Sequence, residues 1–196
     1  MKKLIFYRIL SVALLAISLS LSMMWYGSHQ ETVRLKEQMA QENLNNWSDL
    51  LLMTQKIQNN VKTVEDVQDF AFYQNTVLCL TARELSPAFN GEGPTRNFSF
   101  LTTRYDPLIQ DLAVNNIPEN AQQEGLELYR AMTADLQSIC RYVAEISEAS
   151  DKTKYDLLNT NSDASKQVGE KIQDFCRTYD SKLLEFYAKI DQKSTT

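Results

Sequence analysis

The hydrophobic and polar positions of this chain divide into one unbroken apolar run and, after it, a series of stripes at helical spacing. The run comes first. Ile9 to Gly27 carries no charge, Lys2, Lys3 and Arg8 precede it, and Trp25 and Tyr26 mark its far edge. A basic flank, an apolar core and interfacial aromatics are what a bilayer selects in a segment entering from the cytoplasmic side. As a helix, Ile9 to Tyr26 measures about 27 Å, near the lower limit for a hydrocarbon core of about 30 Å. Leu4 to Tyr7 extend it, with Arg8 snorkelling to the headgroups. The pattern predicts a cytoplasmic tip and single transmembrane signal-anchor over residues 1–28, with Arg8, Trp25 and Tyr26 as its anchoring side chains. Residues 29–196 are then extracytoplasmic. A cleaved signal peptide starts the same way, and Ser20-Leu21-Ser22 fits its small-x-small site. Met23 to Tyr26 continue the apolar run beyond that site, which favours retention; cleavage would leave a secreted helical protein.

Beyond Glu31 the period is helical. Met39, Leu44, Trp47, Leu51, Thr54, Ile57, Val61 and Val64 recur mostly at steps of three and four, forming one face. No proline or glycine interrupts Ser28 to Ser86, so the anchor helix is expected to run on into the first ectodomain helix. Thr63 with Asp66 three residues later resembles a capping box and starts a second helix. Its buried side holds Val67, Phe70, Ala71, Gln74, Val77, Leu78 and Leu85. Pro87 and Asn90-Gly91-Glu92-Gly93-Pro94 end it.

Phe98, Leu101, Tyr105, Leu108 and Leu112 stripe the next segment, where Asp106-Pro107 reads as an N-cap and first-turn proline. Asn115-Asn116-Ile117-Pro118 is a turn. A long helix follows from about Pro118 to Ser147, striped by Leu126, Tyr129, Thr133, Leu136, Cys140, Val143 and Ile146. After a polar loop at Asn159 to Asp163 comes the cleanest stripe: Val168, Ile172, Phe175, Tyr179, Leu183, Phe186 and Ile190. The expected fold class is all-α, an N-terminal transmembrane helix continuing into an antiparallel bundle of four to five helices.

Composition narrows the partners. Five glycines and four prolines are too few for an all-β module with its frequent turns. Three of the 20 basic residues precede Ile9, whereas all 25 acidic residues lie from Glu31 onward. An ectodomain this acidic lacks the basic footprint that nucleic acid or an anionic headgroup surface requires. Cys79, Cys140 and Cys176 are odd in number and widely spaced, neither a zinc pattern nor a dense disulfide framework. Each lies on or beside a stripe, so buried thiols are expected, with one disulfide as the rival.

Catalytic chemistry finds little to work with. The one histidine, His29, stands at the membrane exit, so a triad, a Cys-His dyad or a di-iron Glu-x-x-His site lacks its base or ligand. Neither Ser-x-x-Lys nor a Gly-rich phosphate loop occurs. Glu65, Asp66 and Asp69, and likewise Glu145, Glu148 and Asp151, lie beside or outside the stripes and read as solvated faces, without the spaced ligands of an EF-hand. Asn46-Trp47-Ser48 and Asn97-Phe98-Ser99 match a glycosylation acceptor, but Trp47 and Phe98 fall on buried stripes. No catalytic residue, metal or cofactor is assigned, and an enzyme is not expected. Phe72, Tyr73, Phe100, Tyr142 and Tyr187 lie beside the stripes, where aromatic side chains suit a protein partner.

The stretch FSFLTTRYDPLIQDLAVNNIPENAQQEGLELYRAMTADLQSICRYV, ending at Val143, resembles the amino-terminal ectodomain of the YpeB-type spore-germination membrane proteins. So does the preceding YQNTVLCLTARELSPAF, as does the order of tip, anchor and consecutive amphipathic helices. The likeness covers about half the chain and rests on the spacing of Leu, Phe and Tyr rather than on a diagnostic motif. It implies a non-enzymatic protein that holds or stabilises a cell-wall lytic enzyme. That family continues into carboxy-terminal repeat domains where this chain stops, and no catalytic residues carry across. The expected role is therefore a scaffold or regulator of an envelope protein. The alternative is a helical small-molecule sensor, although such bundles usually sit between two membrane helices.

Overall fold

The computed structural model describes residues 2–71, 77–78, 104–159 and 161–193, with side chains of the first helix from Leu14 onward. Every regular element among these residues is a helix, which makes the protein all-α. Helix α1 spans Lys2–Asn60, α2 spans Val64–Asp66 and passes directly into a π-helical turn at Val67–Ala71, and α3 spans Asp106–Ala113. Helices α4, α5 and α6 span Glu119–Ala149, Asp151–Asp156 and Asp163–Lys193. The chain divides into two units, Met1–Met39 and Ala40–Thr196.

In the first unit every described side chain of α1 is exposed. Leu14, Leu15, Ile17, Leu19, Leu21, Met23, Met24, Trp25 and Tyr26 are 55–74% exposed. The serines among them are internally satisfied: Ser20 Oγ donates to the Ala16 carbonyl at 3.0 Å and Ser22 Oγ to that of Ser18 at 2.9 Å. Among the described residues no helix is long and apolar enough to cross a membrane. Residues 9–13, which open the apolar run, fall outside the described side chains. The division at Ala40 follows from side-chain character. From His29 to Glu37 the helix is polar nearly all round, and Ala40 is its first buried residue.

In the second unit α1 buries Ala40, Asn43, Trp47, Leu50, Thr54 and Ile57 at alternating steps of three and four, a stripe that Val61 continues just beyond its end. This corrects the predicted stripe. Met39 is 50% exposed, while Leu44 and Leu51 are only half-buried. Leu50, Leu51 and Leu52 are equivalent as letters, and only the facing helices decide that Leu50 points inward. The Thr63 cap is as predicted: its hydroxyl accepts from the Asp66 amide at 3.2 Å, and Asp66 Oδ2 accepts from the amides of Thr63 at 2.7 Å and Lys62 at 2.8 Å. Those amide donors, Lys62 first, hold the Asp66 carboxyl below its usual range. Val67 and Leu78 are buried as expected, while Phe70, Ala71, Gln74 and Leu85 fall outside the described side chains.

Helix α3 departs from prediction at its start. Tyr105, buried and already in helical conformation, occupies the cap position, and Asp106 is the first helical residue, accepting from Gln110 Nε2 at 2.7 Å. A first-turn proline needs no cap for the N–H it lacks, so the acid is free to act one turn inside. The far end carries a Schellman motif, with Asn116 N–H to Asp111 O at 2.9 Å, Asn115 N–H to Leu112 O at 3.4 Å and Asn115 at φ 57°. Asparagine is the non-glycine residue best suited to that left-handed position.

Helices α4 and α6 run antiparallel. Tyr142 meets Gln167, Asp135 meets Tyr179 and Glu124 meets Lys189, so falling numbers on α4 face rising numbers on α6. At Gly125 a Cβ would stand 3.0 Å from Phe186 Cζ and 3.2 Å from Leu112 Cδ2, so glycine permits the close meeting of α3, α4 and α6. The short α5 was not expected. Ser150, extended at φ −163°, ends α4, and its hydroxyl accepts from the Lys152 amide at 3.2 Å to start α5. Ser162 Oγ accepts from the Ser165 amide at 3.1 Å and so caps α6. The α6 stripe from Val168 to Phe186 is buried and joins one hydrophobic cluster with α1, α3 and α4, with Ile190 packed partly against it.

Candidate functional site

The residues singled out from the sequence fall in two places. At the edge of the exposed apolar band of α1, the Trp25 ring stacks on His29 with centroids 5.5 Å apart and planes 9° from parallel. Next to it, Tyr26 Oη accepts from Gln30 Nε2 at 2.8 Å. Both aromatics are more than half exposed, so this stretch presents apolar ring faces beside polar edges. His29, alone of its kind in the chain, is engaged here and exposed. The Arg8 side chain lies outside the described residues.

The second place is the helical unit, which holds the aromatics expected to meet a partner. Phe72, Tyr73 and Phe100 lie outside the described residues. Tyr142 and Tyr187 are half-buried and occupied within the fold. Tyr187 donates to Asp111 Oδ2 at 2.7 Å and sets its ring edge-on against Phe186 at 5.4 Å. Tyr142 donates to Gln167 Oε1 at 2.6 Å beneath Lys171 Nζ, which stands 4.4 Å from the ring centroid. Spacing showed that both lie off the stripe centre. It gave no sign that Asp111 of α3 or Gln167 of α6 would cover them.

Tyr179, expected only to fill the core, has a polar task as well: its hydroxyl donates to Asp135 Oδ2 at 2.6 Å. Burial first, then the neighbouring carboxylate, raises the phenols of Tyr179 and Tyr187 above the usual tyrosine range. A folded-state value above the unfolded one gives stability that is complete below about pH 10 and is lost as pH climbs toward the raised value. Melting temperature is therefore expected to fall above about pH 10. In a Tyr179→Phe, Tyr187→Phe double variant the decline over that range should be shallower, measured by circular dichroism at stepped pH. Equal slopes in the two proteins would show that these hydroxyls do not couple to folding.

The thiols are placed for packing. Burial pushes Cys140 up to about 12, and burial followed by Asp180 does the same for half-buried Cys176. Both are protonated at neutral pH and therefore unreactive, and no disulfide joins them. Cys79 lies outside the described residues. Glu65, Asp69, Glu145 and Glu148 are exposed, as expected of solvated faces. Among the described residues no group of three His, Cys, Asp or Glu is arranged to hold a metal. An open groove of about 290 Å³ between α4 and α6, lined by Asp135, Ser138, Ile139, Lys171, Asp174, Phe175 and Thr178, had no sequence signature, because its walls come from two distant segments. No protein-family model, curated protein or solved structure matches this chain.

Proposed function

We propose that this is a membrane-anchored, non-enzymatic protein whose extracytoplasmic helices act by protein–protein contact, as scaffold or regulator of an envelope enzyme. One observation carries the anchor: the exposed band of large apolar side chains from Leu14 to Tyr26, ending in the Trp25–His29 and Tyr26–Gln30 pairs. Such a band left in water is a sticky surface, and lipid is the cover its length and flanks suit. The back-bonded hydroxyls of Ser20 and Ser22 support the same reading, since each already has its partner and needs no water in a hydrocarbon core. The anchor helix then continues into an antiparallel bundle of four to five helices. The contact role is supported by a histidine-free helical region and by the resemblance to the spore-germination proteins, which points to a cell-wall lytic enzyme as partner.

The test is co-purification from detergent-solubilised envelopes, with the full chain set against a chain of residues 1–39. A defined envelope protein, identified by mass spectrometry, should be retained by the first and not the second. Identical sets of retained proteins would count decisively against a contact function for the helical unit.

A further inference from the structure

We propose that the Ala40–Asn60 stretch of α1 is a strap that lifts from the helical unit at its Ala40–Trp47 end, with Asn43 as the built-in weak point. The buried stripe of this stretch has two polar members, Asn43 and Thr54. Thr54 settles its hydroxyl on the Leu51 carbonyl at 2.8 Å. Asn43 has no such outlet. It is 3% exposed, and neither its Nδ2 nor its Oδ1 has a hydrogen-bond partner in the protein. An amide buried with both ends unmade opposes the closed state and regains its bonds on meeting water.

The placement of polar ties points to the same end. Among the described residues, the hydrogen bond that ties α1 to another helix is Gln58 Nε2 to the Arg130 carbonyl at 2.6 Å, near the far end of the strap. Trp47 aside, the buried side chains from Ala40 to Ile57 are held by apolar packing. Arg130 Nε and Ser165 Oγ are also buried without partners. They belong to α4 and α6, however, which bind each other at three levels through Tyr142–Gln167, Tyr179–Asp135 and Lys189–Glu124. The strap is thus pinned near Gln58 and loosest at Asn43. Lifting uncovers Trp47 and Leu50, an apolar patch hidden in the closed state.

The experiment uses the full chain in detergent micelles, carrying either Leu50→Cys or Ile57→Cys. Maleimide labelling is followed by peptide mass spectrometry, so that the native cysteines are counted separately. Position 50 is expected to label faster than position 57. Adding Asn43→Leu should slow labelling at position 50 at least about tenfold, since it removes a buried amide with both ends unmade, and leave position 57 unchanged. Asn43→Asp, which buries a carboxylate, should speed position 50 and serves where the leucine variant fails to fold. Equal rates at the two positions would overturn the proposal. So would an Asn43→Leu variant that labels at position 50 as fast as its parent, or faster.

Discussion

Phe175→Ala and Leu183→Ala are each expected to lower the melting temperature by roughly 4–20 °C, at about 2–4 °C per kcal/mol for a domain of this size. Both side chains point from one face of α6 into the shared hydrophobic cluster, where Phe175 also packs on Tyr179 with ring centroids 5.0 Å apart. Truncating a buried Leu or Phe to Ala costs about 2–5 kcal/mol, because transfer energy is lost and a cavity remains. That is a large share of the roughly 5–15 kcal/mol that holds a domain folded. The adjacent residue is the control. Leu183 is 2% exposed and Leu184 is 60% exposed, so Leu184→Ala should leave the melting temperature almost unchanged. Asp174→Ala, which removes only an exposed carboxylate 3.8 Å from Arg177, should do the same. If the Leu183 and Leu184 variants melt alike, α6 is not a packed wall of the unit.

The second large effect concerns the membrane. Full-length protein is expected to stay in the membrane pellet through alkaline carbonate extraction, whereas a Leu15→Arg, Leu19→Arg double variant should move to the soluble fraction. Both leucines belong to the exposed apolar band. Placing two arginines near the centre of an inserting helix costs about 6–8 kcal/mol on the translocon scale, enough to abolish insertion of a segment this short. Single cysteines at Lys3 and Gln192, in a background lacking the native cysteines, report orientation. A membrane-impermeant maleimide on intact cells should label only the second. Labelling only at Lys3 would invert the topology, release into the medium would favour cleavage, and wild-type protein extracted by carbonate would remove the anchor.

Much of the fold was legible because amphipathic helices carry their own period. The α6 stripe from Val168 to Phe186, the α4 stripe from Leu126 to Val143 and the Thr63–Asp66 capping box were readable from spacing alone. What failed has a common cause. Leu50 and Leu51 differ only in which neighbour they face. Ser150 starts α5 through a hydroxyl bond whose sequence signal is no stronger than that of many other serines. The candidate contact residues were the least legible, since off-stripe aromatics such as Tyr142 and Tyr187 look identical whether a partner protein or the chain itself satisfies their hydroxyls.

Local sequence by itself determined the helical class, the apolar band of α1, the Thr63–Asp66 capping box and the inward side of α4 and α6, because these depend on neighbours three or four positions away. Tertiary structure alone decided the rest. It selected Ala40 as the start of the packed unit and bonded Tyr179 to Asp135 and Tyr187 to Asp111 across separate helices. It also left the Asn43 amide buried without a partner. Each of these depends on residues far apart in the chain, and a periodic pattern holds no information about which face of which helix will meet another.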